Sequence, residues 1–269
     1  MYLEFYGLTE FPFNVTPDPR FMCFTKHHRE AYQHLLYGIE SRKGFIELTG
    51  EVGSGKTTLC RLLLSELRRR DIGSALILNP MLSETQLLRA ILADFGLTAA
   101  GRDRLAYIEC LNDFLLDYNR RGRNVALLID EAQNLTPQLM EQVRLLSNLE
   151  TDNQKLMQIV LCGQPELKER LSHPELRQLR QRITIRYHLR LLTQAETHAY
   201  IRHRLDIAGG EAVDFGDGAM DAVYQYAGGV PRMINALCDN VLLAGFVMDT
   251  QVINAECVRR AVRQLEGLS

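Results

Sequence analysis

The sequence predicts an α/β fold, with a three-layer core around a five-stranded parallel sheet and a smaller all-helical lid at the C-terminal end. Two short runs, Val125–Ile129 and Leu156–Cys162, carry the prediction. They are typical of strands buried on both faces of a parallel sheet, which are apolar without alternation. Segments with helical periodicity separate such runs, and alternating strands and helices form parallel sheets through right-handed crossovers.

Length and composition are compatible with this fold and exclude others. The 269 residues suffice for one large domain or for a core and a smaller domain. A net charge of −2 and 46% hydrophobic residues argue against disorder. No apolar run approaches the roughly 18–20 residues of a membrane-spanning helix, and Met1–Phe13 does not resemble a secretory signal. Six cysteines without CxxC spacing indicate free thiols, mostly buried, in a reducing compartment.

The first half of the chain supplies the first two strands. Residues 1–26 hold three prolines among aromatic residues, which predicts a segment extended over the core. A helix is expected over about 28–42, then a strand at Phe45–Thr49, a glycine-rich turn and a helix to about residue 70. Ser74–Leu78 is the second strand. Ser83 and Gln86 form a capping box that begins the next helix, and a further helix covers Ile108–Tyr118.

The second half completes the sheet and adds the lid. Thr136 and Pro137 begin a helix to about Asn148, and Ile183–Leu189 is the fifth strand. Beyond Leu191 no strong strand pattern remains, and helices are expected over 194–208, 217–227, 231–248 and 255–266. The expected domains are therefore residues 1–191 and 192–269.

A phosphate-binding loop follows the first strand. The run Gly50-Glu51-Val52-Gly53-Ser54-Gly55-Lys56-Thr57 matches GxxxxGK[ST], and Thr58 continues into the helix. Glycines let successive backbone N–H groups point at phosphate oxygens, and the helix N-terminus adds partial positive charge. The pattern predicts that Lys56 contacts the β- and γ-phosphates and that the Thr57 hydroxyl binds Mg²⁺.

Two carboxylates follow the strand Val125–Ile129. Asp130 is expected to hold Mg²⁺ through water, and Glu131 to orient or deprotonate the attacking water. A Glu after the Asp favours hydrolysis over a kinase or a slow switch GTPase. Gln133 and Asn134 do not supply the base recognition of GTPases, and the sequence has no NKxD run.

Several further polar residues are candidates for contacts with the γ-phosphate. Gln164 follows the strand Leu156–Cys162 and is either a contact to phosphate or water, or an ordinary loop residue. Arg232 follows Gly228-Gly-Val-Pro231 and is either aimed at the nucleotide from a helix start, or a surface residue.

An acid-free arginine cluster lies between Glu175 and Glu196. It has three interpretations: a nucleic-acid face, an arginine finger presented to a neighbour's ATP, or a solvated helix and edge strand. Arg182 is the preferred finger candidate, and Arg180 and Arg177 are the runners-up. The cluster consists of Arg177, Arg180, Arg182, Arg186 and Arg190.

This set of motifs resembles the AAA+ ATPases, and more narrowly the ExeA/GspA-type secretion ATPases and their shorter relatives in MSHA-type pilus biogenesis. The resemblance covers nearly the whole chain. It rests on Phe5-Tyr-Gly-Leu, Pro12-Phe13, Thr16-Pro-Asp-Pro19, Gly44-Phe45, the phosphate loop, Asp130-Glu-Ala-Gln133, Gly163-Gln-Pro-Glu-Leu167, Gln181-Arg-Ile183 and Gly229-Val-Pro-Arg-Met-Ile-Asn235.

The resemblance implies roles for individual residues. Gln164 is similar to sensor 1, Arg232 to sensor 2 and Arg182 to the finger, acting in trans. Asn79 is similar to the residue that restrains the catalytic Glu until a partner binds. The aromatic and proline-containing N-terminal segment is expected near the adenine.

The resemblance also implies a cytoplasmic, Mg²⁺-dependent ATPase. It is expected to form a ring or filament and to couple ATP hydrolysis to assembly of a secretion or type IV pilus complex in the envelope. Longer members of the family continue into a membrane span and a peptidoglycan-binding domain, so attachment at the inner membrane is expected through a partner. Two alternatives are a DNA-binding regulator of the transposition-ATPase type, and a binding module that holds ATP only as a structural ligand.

Overall fold

The computed structural model describes residues 2–14, 18–151, 154–210, 213–216 and 218–267. Thr16 and Pro17, which contribute to the Thr16–Pro19 motif, lie outside the described residues.

Helices and strands alternate over most of the chain. The helices are α1 (Tyr2–Phe5), α2 (Lys26–Glu40), α3 (Lys56–Arg69), α4 (Glu84–Asp94), α5 (Arg104–Arg120), α6 (Pro137–Leu146), α7 (Pro165–Ser172), α8 (Arg177–Arg182), α9 (Gln194–Ile207), α10 (Ala219–Ala227), α11 (Pro231–Val247) and α12 (Ala255–Leu265). The strands are β1 (Phe45–Gly50), β2 (Gly73–Ile77), β3 (Val125–Ile129), β4 (Gln158–Gly163), β5 (Ile183–Leu189), β6 (Asp214–Phe215) and β7 (Val252–Ile253). Short 3₁₀ turns lie at Pro19–Phe21, Ala132–Asn134 and Pro174–Leu176.

The chain forms two compact units. The sheet unit comprises residues 27–50 and 59–189, and the helical unit comprises residues 1–26, 51–58 and 190–269. The N-terminal segment and the phosphate loop therefore group with the C-terminal helices. The expected division of the chain into domains 1–191 and 192–269 remains a prediction.

The sheet unit confirms the predicted five-stranded parallel sheet. The strand order is β2-β3-β4-β1-β5, and every neighbouring pair is parallel. The carboxyl ends of parallel strands meet at one edge of a sheet, so Gly50, Asp130 and Gln164 all emerge at that edge. The topology places β4 between β1 and β3, although it follows both of them in the chain.

Helices cover both faces of this sheet. Phe45, Val125 and Ile159 share a buried apolar cluster with residues of α4, α5 and α6. Successive strand residues point to opposite faces, so Ile46 points the other way. There it meets α2 so closely that a Cβ on Gly38 would lie 2.5 Å from Ile46 Cδ1. The three-layer architecture is confirmed.

The N-terminal segment packs into the helical unit, which corrects the expectation that it lies extended over the α/β core. Tyr2 to Phe5 form a helix, and Tyr6, Phe13 and Phe21 are buried in one cluster with residues of α9–α12. Tyr6 Oη donates a hydrogen bond to the Thr250 carbonyl oxygen at 3.1 Å, and burial raises the pKa of Tyr6 to about 12. The aromatic residues serve as core side chains of this unit.

The helical unit also contains a small strand pair. Strands β6 and β7 are two residues each and pair in parallel. Two residues cannot show a period of two, so the sequence pattern did not reveal them. Helices α1, α7 and α8 were also not predicted, because they span only 4 to 8 residues.

Two further expectations concern membranes and thiols. None of the described helices combines the length and the apolar character that crossing a bilayer requires. All six cysteines are free, and four of them are buried: Cys60, Cys162, Cys238 and Cys257. The prediction of free thiols is confirmed.

Candidate nucleotide-binding site

The phosphate loop connects β1 to α3. Gly53 and Gly55 have positive φ angles of 77° and 99°, which side chains disfavour and which let the backbone curl. The side chain of Lys56 is folded back over the loop, because its Nζ donates to the Glu51 carbonyl oxygen at 2.8 Å. Lys56 is only 5% exposed. The predicted nucleotide-binding residues Gly50 to Thr58 thus form one continuous turn from strand end to helix start.

Arg232 contacts this loop through its backbone. Pro231 begins α11, and the Arg232 N–H donates to the Gly53 carbonyl oxygen at 3.3 Å. The Arg232 side chain is exposed. The first turn of α11 is therefore held at the loop, while the guanidinium is free to reach solvent or a bound anion.

Asp130 and Glu131 follow β3 in different environments. Asp130 is 2% exposed, its N–H donates to the Ile77 carbonyl oxygen at 2.8 Å, and its Oδ1 accepts the Glu131 N–H at 2.9 Å. Glu131 is partly exposed and has φ 51° and ψ 36°, a left-handed conformation that is uncommon outside glycine. The buried carboxylate suits a metal, and the partly exposed one suits proton transfer to or from water.

Two glutamine amides bond the Glu131 carboxylate. Gln133 Nε2 donates to Glu131 Oε2 at 2.5 Å, and Gln164 Nε2 donates to the same oxygen at 3.1 Å. The sequence patterns indicate a site role for Gln164, whereas Gln133 serves there as evidence against a GTPase and as part of the Asp130–Gln133 motif, without a role of its own. Its position two residues after Glu131 was the available signal.

Asn79 is not one of these amide partners. It is exposed in the loop after β2, and its Oδ1 accepts the Met81 N–H at 3.2 Å. Within the described part of the chain, the Glu131 carboxylate accepts hydrogen bonds from the side chains of Gln133 and Gln164. Asn79 is thus not among the hydrogen-bond partners described for Glu131, and its role as a restraint stays a prediction.

The arginines of the sheet unit differ in their contacts. Arg182 Nη1 donates to Ser147 Oγ at 2.8 Å and to Asn148 Oδ1 at 2.7 Å, so it is tied to the C-terminal end of α6. Arg186 pairs with the buried Glu47 at 3.2 Å. Arg177 and Arg180 are exposed. The cluster therefore contains structural arginines as well as exposed ones.

The donor set suits Mg²⁺. This ion prefers hard oxygen ligands and keeps several waters, so one carboxylate and one hydroxyl, together with substrate phosphates, suffice. Asp130 supplies a buried carboxylate and Thr57 a hydroxyl at the start of α3. These residue types fit the metal that the phosphate loop implies.

Comparison with known proteins agrees with this description. A family model described as an AAA domain matches residues 39–171. General secretion pathway protein A of Aeromonas hydrophila is 43% identical over all 269 residues. The chain spans about half, 49%, of that protein's length.

Solved structures show the same fold at low sequence identity. Cdc6p of Pyrobaculum aerophilum is 16% identical with a TM-score of 0.72, over 94% of this chain and 70% of that one. The Holliday junction branch migration motor RuvB of Thermotoga maritima is 20% identical with a TM-score of 0.60, over 90% and 70%.

Fold and site together define a P-loop ATPase of the AAA class. The phosphate loop, the two carboxylates after β3 and the C-terminal helices α9–α12 occur in the expected order along the chain. Within that class, the chain is similar to general secretion pathway protein A over its whole length.

Proposed function

We propose that this protein hydrolyses ATP to ADP and phosphate and that Glu131 activates the attacking water. The arrangement of Glu131 carries the proposal: a partly exposed carboxylate directly after the buried Asp130, held by two amides at the sheet edge where β1, β3 and β4 end. Such a carboxylate has the reach and the acceptor atoms of a general base.

The phosphate loop binds the triphosphate in this proposal. Backbone N–H groups of residues 51–57 and the Lys56 ammonium contact the β- and γ-phosphates, and the N-terminus of α3 adds its dipole. Thr57 and Asp130 hold Mg²⁺, which supplies charge neutralisation for the phosphates when it is bound.

Hydrolysis then proceeds by in-line attack. Glu131 accepts a proton from water as the water oxygen bonds to the γ-phosphorus, and the bond between that phosphorus and the bridging oxygen of ADP breaks. Gln164 and Arg232 donate to the γ-phosphate oxygens, which carry the developing charge. Arg182 of a neighbouring subunit contributes the finger in an oligomer, either a ring or a filament.

The proposed cellular role is based on the similarity to general secretion pathway protein A. The 43% sequence identity to general secretion pathway protein A, which extends over all 269 residues, supports a role in assembling a secretion or type IV pilus complex in the envelope. The protein acts at the cytoplasmic side of the inner membrane and attaches through partner proteins. Deleting its gene in the host should impair secretion or piliation, and a Glu131→Gln copy should fail to restore it.

Glu131→Gln tests the catalytic assignment. Removing the base should lower kcat by about 10²-fold or more, while the affinity for ATP stays at the wild-type value. Steady-state phosphate release and titration with a fluorescent nucleotide measure the two effects. Glu166→Gln, an exposed carboxylate on α7, is the matched control and should be fully active. Normal turnover by Glu131→Gln would show that Glu131 is not the base.

A further inference from the structure

The side-chain amide of Gln133 links the ends of two strands. Gln133 lies in the 3₁₀ turn after β3 and is 8% exposed, so a polar side chain is buried there. A buried amide is costly unless both its donor and its acceptor find partners. The hydrogen-bond partners of the Gln133 amide therefore indicate its role.

Each end of this amide contacts a residue of the candidate site. Nε2 donates to Glu131 Oε2 at 2.5 Å, and Oε1 accepts the backbone N–H of Gln164 at 3.1 Å. The Gln164 side chain also contacts Glu131, because its Nε2 donates to Glu131 Oε2 at 3.1 Å. Glu131, Gln133 and Gln164 are thus joined in a closed ring of three hydrogen bonds. Two donors on one carboxylate oxygen fix the direction of the carboxylate and leave Oε1 as the oxygen to take a proton.

The absence of a side chain at Gly163 leaves space for this hydrogen-bonded ring. A Cβ at this position would lie 2.6 Å from Gln133 Oε1 and 3.0 Å from Leu167 Cδ2. These distances are below van der Waals contact, so any side chain at residue 163 would displace the amide or Leu167. The strand end of β4 is thus adapted to the Gln133 side chain.

We propose that Gln133 is a positioning residue for the reaction, which holds the Glu131 carboxylate in its working orientation and ties that orientation to Gln164. The proposal rests on the role of Glu131 proposed above. Glu131 has a left-handed backbone, and its carboxylate reaches the site through a flexible side chain with three rotatable bonds. A fixed orientation is valuable because small misplacements of a catalytic group reduce rates strongly.

Gln133→Met tests the proposal, because methionine keeps the size of the buried side chain and removes both hydrogen bonds. We expect kcat to fall about tenfold or more while KM for ATP changes less than about twofold. Asn134→Ala is the matched control, since Asn134 is an exposed neighbour in the same turn. It should leave both constants unchanged. Fluorescent-nucleotide titration and the melting temperature establish that each variant binds ATP and is folded.

A double-mutant cycle with Gln164→Ala separates positioning from a structural role. Gln133 and Gln164 donate to the same oxygen, so their effects on kcat should be clearly non-additive. If Gln133→Met unfolds the protein, Gly163→Ala is the second variant, because its Cβ would lie closest to Gln133 Oε1, at 2.6 Å, and it should show the same loss of kcat at constant KM.

The outcomes distinguish this proposal from the one on which it rests. Unchanged or raised kcat in folded Gln133→Met, or additive losses in the cycle, would overturn the positioning role while an inactive Glu131→Gln kept the base assignment intact. Normal turnover of Glu131→Gln would instead overturn the base assignment itself.

Discussion

Glu131 shows how the site concentrates unfavourable local features. A left-handed backbone outside glycine costs roughly 1–2 kcal/mol, and the carboxylate is additionally withdrawn from part of its water. The Asp130 Oδ1 bond to the Glu131 N–H and the two glutamine amides offset these costs. Such a conformation persists only when its surroundings hold it, which is typical of functional sites.

Gly53 gives a prediction at the same scale. A Cβ on Gly53 would lie 2.7 Å from Arg232 Cβ and 3.2 Å from Val230 Cγ1, so Gly53→Ala should displace either the loop or the start of α11. We expect the affinity for ATP to fall about tenfold or more, since the loop N–H groups lose their alignment. Titration with a fluorescent nucleotide measures this.

Gly96→Ala is the control for backbone strain. Gly96 has φ 73°, close to the 77° of Gly53, but an added Cβ meets nothing within 4 Å. Both variants should lose about 1–2 kcal/mol of stability from the left-handed backbone. Gly53→Ala should lose more because of its close contacts, and only Gly53→Ala should lose affinity. Equal affinities would mean that the close approach of Arg232 is irrelevant to binding.

At the scale of elements, Arg204 of α9 connects the N-terminal segment to the helices. It is 5% exposed and donates through Nε to the Pro12 carbonyl oxygen at 2.5 Å and through Nη2 to the Asn14 carbonyl oxygen at 3.3 Å. Its Nη1 donates to Tyr200 Oη at 2.8 Å, and Tyr200 Oη donates to Asn235 Oδ1 on α11 at 2.9 Å. The guanidinium also lies 4.8 Å from the centre of the Phe21 ring.

Removing this guanidinium should destabilise the helical unit. Arg204→Ala removes the donor to the buried Pro12 carbonyl oxygen and the buried bond to Tyr200 Oη, and we expect a loss of about 2–3 kcal/mol. Arg204→Lys should recover only part of the loss, because an ammonium lacks the planar fork. Urea unfolding measures both variants. Arg202→Ala, exposed on the same helix, should remain near wild type. A stable Arg204→Ala protein would refute the anchoring role.

At the scale of the whole molecule, the chain forms two compact units. The proposed arginine finger requires a neighbouring subunit in addition. Arg182 belongs to the sheet unit, where its Nη1 donates to Ser147 Oγ and Asn148 Oδ1. A guanidinium has five N–H donors, so these two bonds position the group and leave other N–H donors for a phosphate. A positioned, partly exposed arginine at the end of α8 is compatible with recognition of a neighbour's phosphate.

Mixing variants tests whether Arg182 acts between subunits. Arg182→Ala and Glu131→Gln should each be nearly inactive, and mixing them should restore part of the activity. In mixed oligomers, a subunit with an intact Glu131 receives Arg182 from its neighbour. Phosphate release measured across mixing ratios gives the result.

Two kinds of control accompany the mixing experiment. Arg177→Ala and Arg180→Ala, in the exposed part of the cluster, should retain activity, and melting temperatures must show that Arg182→Ala is folded. Inactivity at every mixing ratio would argue against a finger in trans.

Sequence patterns predicted the sheet closely. Strands β3 and β5 have the predicted bounds, and β1, β2 and β4 differ by one or two residues. Strands β1, β3 and β4 are buried at every position, which favours apolar residues, whereas β5 is buried only at its two ends, Ile183 and Leu189. The phosphate loop and the Asp130-Glu131 pair were equally visible, because phosphate and Mg²⁺ binding require particular residues at fixed spacing.

What the sequence determined by itself was therefore the order of the strands along the chain, the parallel sheet and the identity of the groups that carry the chemistry. Only the tertiary structure decided that β4 lies between β1 and β3, that Gln133 rather than Asn79 contacts Glu131, and that the N-terminal aromatic residues belong to the helical unit. The physical reason is that local periodicity records which face of an element is buried. Which distant side chain meets a given carboxylate depends on packing between segments far apart in the chain.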